Sequence, residues 1–544
     1  MLQFLQKQKA HRVLLLVTFP GVALLGILAF MVPPGADPDP CWGFMVMHSM
    51  EQGHHFNLLI SPDPLNIAKD QVHFLSWWSP GQYLFPYLFK ILLKIDTGHA
   101  VALTIGCCNI IGLAGYYKLF KKLGFTAWVA AISTTFIASQ LFFFISFVYY
   151  LGGEVLLFAF MGWFLYGCFS FEKITRRVLV FVFLVFFAGF FSKSSFLWMY
   201  IAGVACLWIN ISRNETDLLP AKIARNLLRS PDFKKRTGVW LRNGMWLSIP
   251  LVGAFVIIYI FYLSKGPNPT AAGGQPLIRP ETFGFPLASP MLSGFSIDEF
   301  TDGLIYQPDG AKIAYQSAVF IMAVFACCSL AFAFFLPRFS PDKKYVLVIL
   351  VFYVFGVVFF SYMYLKQTAI SYEGRHFRII GLLFIPGFVY LVLKTKITRL
   401  LFFILWAFIL FKSYSYFKGE IKANKAAARG NSGISQQLYD KKVLDEIVKI
   451  DGNHHNDAVF VVMSSDIAAE IINNRVITLD SENMGRRYLS KLKFAAKSGP
   501  LFILMPREYV ANGIEPVIIK SFTGYHQFSF KQLSEDYYLY FADN

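Results

Sequence analysis

Long apolar stretches are the feature that most restricts how this chain can fold. Eleven of them recur along the sequence, each near the about 20 residues that a helix needs to cross the hydrocarbon core of a bilayer. Backbone groups in lipid must form their hydrogen bonds within the spanning element, so these stretches predict an all-α polytopic membrane protein with about 11 transmembrane helices. The predicted spans are 12–32, 98–117, 126–147, 153–170, 177–191, 195–211, 244–264, 313–336, 345–365, 377–393 and 399–416.

The distribution of charge predicts how the chain is oriented. Only 15% of the residues are charged, against about 25% in soluble proteins, and the net charge is +17. With a cytoplasmic N-terminus, the inside segments hold 23 Lys and Arg, and the outside loops before the tail hold 10. This asymmetry follows the positive-inside rule, which accounts for the positive charge without a nucleic-acid partner. We predict a multi-pass plasma-membrane protein (the inner membrane of a bacterium) whose C-terminal domain lies outside.

Most of the polar sequence falls on the predicted outer face. It comprises loop 33–97, loop 265–312 and tail 417–544. Loop 33–97 is predicted to contain two interfacial helices rich in aromatic residues, at 41–52 and 82–94. We therefore expect the functional site to lie outside the membrane, or near its outer leaflet.

The tail has the pattern of a small α/β domain with parallel strands. The predicted elements are a helix at 434–449, a strand at 457–463, a helix at 464–474 and strands at 475–480 and 501–506. We therefore predict two domains. Residues 1–416 form the transmembrane catalytic domain, and residues 417–544 form an extracytoplasmic α/β domain.

A pair of aspartates follows the first span directly. Asp37 and Asp39 are separated only by Pro38. Two neighbouring carboxylates repel each other, which favours a general base, and such a pair also suits a divalent ion. Asp and Pro are also common in solvated turns, so the pair could be a simple turn. The residues alone therefore leave a base, an ion site and a turn open.

Two further charged residues lie at predicted outer ends of spans. Glu154 opens the fourth span, where a carboxylate is costly unless it faces a cavity or a partner. Lys193 lies in the tight turn between the fifth and sixth spans, where its ammonium could meet a lipid phosphate. The alternatives are an exposed interfacial Glu and a Lys that extends to the membrane surface.

A basic group stands on the outer side, against the positive-inside trend. Arg375, His376 and Arg378 lie between the ninth and tenth spans. Arg recognises phosphate through paired N–H donors, so this group favours a phosphate or pyrophosphate ligand.

Several other kinds of site find no support. The sequence has no GxSxG, no Walker loop and no HExxH. The pairs His54-His55 and His454-His455 are adjacent, and adjacent residues on a helix do not face one another. We predict no metal site from these residues and no certain cofactor, with a divalent cation left open at the aspartate pair.

In their order, these motifs resemble the GT-C superfamily of integral membrane glycosyltransferases. The likeness is greatest to the branch with lipid A aminoarabinose transferase and the protein O-mannosyltransferases. The superfamily's modified DxD is matched by Asp37 and Asp39, its acidic residue at the fourth span by Glu154, and its Lys turn by Gly189 to Lys193. The other matches are the helix from Trp42 to Gly53, the Pro-rich WWSPGQYLFPYLF with Tyr83, and Arg375-His376-Phe377.

The resemblance implies a GT-C-like fold and a transferase that uses a polyprenyl-phosphate sugar. It would move a hexose or pentose to a hydroxyl of a lipid, glycan or protein acceptor, with inversion. Asp39 or Asp37 is the expected base. The expected donor or substrate contacts are Glu154, Lys193, Arg375, His376, Arg378, Trp42 and Tyr83.

Two other classes of protein remain open. An O-antigen polymerase or ligase would also use outer Arg and His residues, but with polyprenyl diphosphate donors and a large late loop. A lipid-linked sugar transporter or flippase would move its substrate without forming a bond, and transporters often contain internal repeats. We find no repeat in this sequence.

Overall fold

The structure, a computed structural model, describes residues 2–216, 231–266, 273–307, 310–479 and 489–543. Its α-helices are Leu2–Met31, Pro38–Glu51, Gly81–Leu93, Thr97–Lys122, Ala127–Ala138, Leu141–Val148, Gly153–Ser170, Arg176–Ser192, Phe196–Thr216, Pro231–Phe261, Pro280–Gly294, Ile297–Phe300, Tyr315–Phe339, Lys343–Leu365, Arg378–Val392, Lys396–Ala426, Lys441–Asn453, Ser465–Ala468, Arg507–Ala511 and Glu515–Ser521. Short 3₁₀ helices are Leu263–Lys265 and Gly374–Phe377. The strands are Gly35–Ala36, Leu58–Asp63, Asn66–Phe74, Tyr149–Tyr150, Val459–Val462, Arg475–Thr478, Leu501–Pro506, Ser529–Gln532 and Tyr537–Ala542.

The helices confirm a multi-pass membrane protein. Within the described ranges, nine helices are long and apolar enough to cross a membrane. A tenth span results if Ala127–Ala138 and Leu141–Val148, bent by 50°, are one broken helix. The remaining predicted span coincides with Arg176–Ser192, whose 17 residues are at the lower limit for crossing. The predicted fold class, an all-α membrane protein with a small C-terminal α/β part, is therefore confirmed, while the orientation of the chain stays a prediction.

The chain forms two compact units. The first comprises Met1–Leu25, Cys107–Ile145 and Gly153–Tyr416, and the second comprises Gly26–Gly106, Ser146–Gly152 and Phe417–Asn544. The predicted domain boundary between residues 416 and 417 stays a prediction.

In the first unit, Pro280–Gly294 lies at the centre of a group of packed helices. It packs against Tyr315–Phe339, Lys343–Leu365 and Arg378–Val392. Its last residue, Gly294, makes a close backbone approach to Gly381, because a Cβ on Gly294 would lie 2.8 Å from the Gly381 carbonyl oxygen. Small residues allow such approaches between membrane helices. The packing brings the chain after Gly294 close to the start of the Arg378–Val392 helix.

The second unit contains a five-stranded sheet. Its strand order is Arg475–Thr478, Val459–Val462, Leu501–Pro506, Tyr537–Ala542 and Ser529–Gln532. The first three strands are parallel, as predicted, and the last two are antiparallel additions that the prediction lacks. One face of the sheet buries an apolar core that also receives Ile67 from the outer loop.

Loop 33–97 contains both predicted helices and one unpredicted element. The helices are Pro38–Glu51 and Gly81–Leu93. Between them, Leu58–Asp63 and Asn66–Phe74 form an antiparallel β-hairpin. Two strands that close through a short Pro-containing turn satisfy their backbone groups locally, so the chain between the helices is ordered.

The predicted tail helix at 464–474 is wrong in its length. Helix is found only at Ser465–Ala468. The backbone N–H groups of Ile472 and Asn473 instead donate to the buried carboxylate of Asp451, at 3.1 and 3.2 Å. Because these amides are satisfied by a side chain, the helix does not continue through them.

Candidate functional site

One candidate site joins two span ends within the first unit. Glu154 lies in the first turn of Gly153–Ser170, and Lys193 ends the Arg176–Ser192 helix. The Lys193 N–H donates to the Gly189 carbonyl at 3.0 Å and ends that helix, and the Phe196 N–H donates to the Lys193 carbonyl at 3.0 Å, which closes the tight turn between the two helices. The Lys193 ammonium donates to the Glu154 carboxylate. A Cβ at Gly153 would lie 2.7 Å from the Ser192 carbonyl oxygen, so glycine is what lets these two ends meet.

Arg375 completes this group of charges. It lies in the Gly374–Phe377 turn, and its Nη1 is 3.8 Å from Oε1 of Glu154. Its guanidinium also pairs with Glu373. We call Glu154, Lys193, Glu373 and Arg375 the ion-pair cluster. Two cations that were predicted separately from the sequence, Lys193 and Arg375, therefore converge on one carboxylate oxygen of Glu154, which lies up to 221 positions away along the chain.

Arg378 makes a separate contact in the same unit. Its guanidinium pairs with Glu299 and lies over the ring of Phe142, 4.1 Å from the centroid. The neighbouring Asp298 carboxylate accepts from the backbone N–H of Gly374 at 2.6 Å. Asp298 and Glu299 therefore hold the Gly374–Phe377 turn and Arg378 in place.

Burial changes the acidity of this turn. Burial raises the pKa of Glu299 to about 7, although Arg378 opposes the rise. Burial also raises the pKa of Asp298. The carboxylate partners of the predicted basic residues, Glu373 and Glu299, were not predicted. Their sequence signal is modest: acidic residues in otherwise apolar outer loops.

His376 has a different environment from the arginines beside it. Its ring stacks on Phe360 with centroids 5.9 Å apart. Its Nε2 is buried and has no hydrogen-bond partner among the described residues. The structure thus groups Arg375 with Glu154 and Lys193, and gives His376 an aromatic neighbour.

The aspartate pair is a second candidate site, within the second unit. Asp37 is the N-cap of Pro38–Glu51, and its carboxylate accepts from the Asp39 N–H at 3.0 Å. The Asp37 N–H donates to the Tyr150 carbonyl at 3.0 Å, beside the short parallel pairing of Gly35–Ala36 with Tyr149–Tyr150. Asp37 is therefore the residue that starts this helix, and Asp39 lies in its first turn.

Within the second unit, the tail is hydrogen-bonded to the first turn of the Pro38–Glu51 helix. The Ser465 hydroxyl donates to the Pro38 carbonyl at 2.5 Å. Cys41 is buried one turn further along, and burial, followed by the nearby carboxylates of Asp466 and Asp37, raises the pKa of its thiol. We call Asp37, Asp39 and Asp466 the acidic turn. No pattern in the sequence indicates that a tail residue lies near the aspartate pair.

Neutral donors surround the tail carboxylates. Tyr439 hydrogen-bonds to Asp466. Glu470 accepts from the Ser432 hydroxyl at 2.5 Å and from the Gln436 amide at 2.9 Å. Burial raises the pKa of both Asp466 and Glu470.

The two aromatic candidates also lie in the second unit. Tyr83 is fully buried, its hydroxyl donates to Asn57 at 2.9 Å, and its ring packs against Gly43 of the neighbouring helix. Trp42 is half-buried. Their assignment to donor binding stays a prediction.

The divalent cation also stays open. Among the described residues, no three His, Cys, Asp or Glu side chains are grouped so that they could hold a metal ion.

Comparison with known proteins gives similarity in structure alone. No protein-family model matches the sequence, and no curated protein matches it. The oligosaccharyltransferase of Archaeoglobus fulgidus aligns with 96% of this chain and 74% of its own, at 10% identity and a TM-score of 0.46. ArnT from Cupriavidus metallidurans, bound to undecaprenyl phosphate, aligns over 97% of both chains at 10% identity, also with a TM-score of 0.46.

A third similar structure is the arabinofuranosyltransferase AftD from Mycobacteria, with a TM-score of 0.48 and 12% identity. The alignment covers 98% of this chain but only 40% of AftD. These structures include named sugar transferases, the class that the sequence motifs resemble. Because the TM-scores are below 0.5, the chemistry of this chain has to be argued from its own residues.

Proposed function

We propose that this protein is a membrane glycosyltransferase of the GT-C type. It moves a hexose or pentose from a polyprenyl-phosphate donor to an acceptor hydroxyl at the outer face of the plasma membrane. The observation that carries the proposal is the convergence of Lys193 and Arg375 on Glu154 at the ends of apolar helices. Two cations at such a position suit a ligand whose charged group is a phosphate and whose remainder is a lipid.

In the proposed reaction, the acceptor oxygen attacks the anomeric carbon of the donor sugar. The bond from that carbon to the phosphate oxygen breaks, and the phosphate leaves with the electron pair. Lys193 and Arg375 stabilise the charge that grows on the leaving phosphate. The acceptor proton passes to an aspartate, and the single displacement inverts the configuration at carbon.

We assign the base to Asp39. Asp37 already has a structural task, since its carboxylate caps the helix by accepting the Asp39 N–H. A cap contributes about 1 kcal/mol to stability, so a change at Asp37 is expected to act through the fold of the turn. Asp39 lies in the first turn of the same helix, and its backbone N–H is the donor to that cap.

The test is transfer of a labelled sugar from a synthetic polyprenyl-phosphate donor by the purified protein in lipid. Asp39→Asn is expected to slow transfer by about 10²- to 10⁴-fold, the usual contribution of a general base. Asp37→Asn, which keeps an acceptor oxygen for the cap, is expected to retain more activity. Asp63→Asn, in the hairpin of the same loop, is the matched control.

Two results would overturn the proposal. Full activity in both Asp39→Asn and Asp37→Asn would remove the base. Movement of the lipid-linked sugar across the membrane with no new glycosidic bond would favour a flippase, and activity only with a diphosphate donor would favour the polymerase or ligase class.

A further inference from the structure

A cavity in the second unit lies apart from the acidic turn. Its volume is about 340 Å³, at the lower end of the roughly 300–1,000 Å³ typical of ligand sites. Its walls come from the second half of the Pro38–Glu51 helix, the β-hairpin of the outer loop, and the tail between residues 468 and 476. His48, Gln52, Asp70, Asn473, Asn474 and Arg475 are among the residues that line it.

The tail wall of this cavity is held rigidly by one buried carboxylate. Asp451 is fully buried, and it accepts from the side-chain amides of Asn473 at 3.0 Å and Asn474 at 2.9 Å. It also accepts the backbone N–H groups of Ile472 and Asn473. A polar wall fixed in this way loses little conformational freedom when a ligand binds, which favours affinity.

The side of the cavity that the Pro38–Glu51 helix forms is hydrogen-bonded to the same part of the tail. The His48 imidazole lies 2.8 Å from the Ile472 carbonyl, and the Gln52 amide lies 2.9 Å from His48. An imidazole and three amide side chains therefore border one cavity in fixed positions. Amides and imidazoles can both donate and accept hydrogen bonds, as a ligand with several hydroxyl groups requires.

The charge of the lining argues for a neutral ligand. Arg475 donates to the Asp70 carboxylate at 2.8 Å, and also to the Lys69 carbonyl and the Ser498 hydroxyl, at 2.8 and 2.7 Å. Its guanidinium is thus engaged on three sides by groups of the chain itself. An anion would have to displace Asp70 to reach it, whereas neutral hydroxyls can bind beside the existing pair.

The polar side chains that line the cavity lie away from Asp39 along the Pro38–Glu51 helix, although Phe44, the first lining residue, is only five residues beyond it, about 8 Å. His48 is nine residues beyond Asp39 in the same helix, which corresponds to about 14 Å at 1.5 Å per residue. We propose that this cavity binds a neutral saccharide, and that this saccharide is part of the acceptor. The acceptor is then a glycan-bearing molecule. The role of the saccharide as part of the acceptor rests on the proposed function, whereas saccharide binding itself does not.

The direct test is saturation-transfer NMR on the purified full-length protein in detergent. The probes are neutral hexoses, N-acetylhexosamines, pentoses and their disaccharides, with inorganic phosphate as the anionic probe. Ala469→Phe places a ring into the cavity, because Ala469 lines it. Ala426→Phe, at an exposed position of the same unit, adds the same bulk elsewhere. Gln52→Leu removes one polar lining group with little change in volume.

We expect at least one neutral saccharide to bind, Ala469→Phe to weaken its binding at least tenfold, Gln52→Leu to weaken it several-fold, and Ala426→Phe to leave it unchanged. In the transfer assay, Ala469→Phe should raise the KM for the acceptor while the KM for the donor stays constant. Absence of saccharide binding to the wild type, preference for phosphate, or equal binding by Ala469→Phe and the wild type would overturn the inference. Saccharide binding without any transfer would instead overturn the proposed function, so the two failures are distinguishable.

Discussion

The ion-pair cluster and the buried tail carboxylates Asp466 and Glu470, which lie in and beside the acidic turn, are held by different kinds of partner. In the cluster, the cations of Lys193 and Arg375 are balanced by the carboxylates of Glu154, from another helix of the first unit, and Glu373, from the same turn as Arg375. In the acidic turn and the tail beside it, the bonds described for the carboxylates come from neutral groups: backbone amides, hydroxyls and an amide side chain. Among the described residues, the cluster is therefore held by pairs of opposite charge, whereas Asp466 and Glu470 are held by neutral hydrogen-bond donors.

This difference suggests a division of labour. A phosphate can replace a carboxylate beside Lys193 and Arg375, because both are anions that accept from the same donors. The second unit keeps carboxyl groups in surroundings where protonation matters, since burial raises the pKa of Asp466 and Glu470. We therefore assign donor binding to the ion-pair cluster and proton transfer to the acidic turn.

Removing a cation tests the first half of this comparison. Arg375→Ala and Lys193→Ala should each weaken binding of polyprenyl phosphate about 10- to 100-fold, because a hydrogen bond to a charged group contributes about 1.5–3 kcal/mol. Lipid-binding titrations of the purified protein measure this. Lys312→Ala is the control, since Lys312 pairs with Asp302 at an exposed position. Unchanged donor affinity in both variants would remove their assigned role.

Removing a carboxylate from the tail tests the second half. Glu470→Ala should lower the free energy of unfolding of the second unit by about 1–3 kcal/mol, because the donors from Ser432 and Gln436 lose their acceptor while buried. Glu470→Gln keeps an acceptor oxygen and should cost less. Thermal denaturation compares them with the exposed control Glu508→Ala. Equal stability of Glu470→Ala and the control would contradict a structural role for this carboxylate.

A change at Glu154 sharpens the contrast. Glu154→Gln should tighten binding of sugar-free polyprenyl phosphate several-fold, because the carboxylate that competes for Lys193 is gone. Glu154→Asp keeps the charge and is the matched control. If Glu154 acts mainly by positioning the donor sugar, phosphate affinity will stay constant in Glu154→Gln while transfer falls.

The smallest expected effect is a dependence of stability on pH. The pKa of Glu299 is raised from 4.5 to about 7 by burial, so the folded protein keeps a proton there that the unfolded chain has lost. Stability from this group is complete below about pH 4.5 and decreases as the pH rises toward 7. The thermal midpoint should fall across this interval in the wild type and fall less in Glu299→Gln. The exposed Glu535→Gln should keep the wild-type slope; equal slopes in all three proteins would refute the assignment.

The sequence alone is sufficient to predict the membrane spans, because hydropathy is a local property of the chain. It also identifies Glu154, Lys193 and Arg375 individually, because charges at span ends are conspicuous in an apolar chain. Their acidic partners are harder to find. Glu299 pairs with Arg378 across 79 residues, and no local pattern encodes such a contact.

The missed strands have a more specific cause. The hairpin strands Leu58–Asp63 and Asn66–Phe74 alternate only in part between buried and exposed residues. Their many polar residues, and the predicted helices on either side, make the strand pattern difficult to recognise. The last strand, Tyr537–Ala542, consists mainly of aromatic residues that favour β-structure. The meeting of Asp466 with Asp37 depends on tertiary packing over more than 400 residues, which periodicity does not report.

The most direct test of the division of labour measures donor binding and single-turnover transfer side by side in Asp39→Asn and Arg375→Ala. We expect Asp39→Asn to bind the polyprenyl-phosphate sugar like the wild type but to transfer it about 10²- to 10⁴-fold more slowly. Arg375→Ala should bind the donor about 10- to 100-fold more weakly. Wild-type transfer by Asp39→Asn, or equal losses of donor affinity in the two variants, would contradict it.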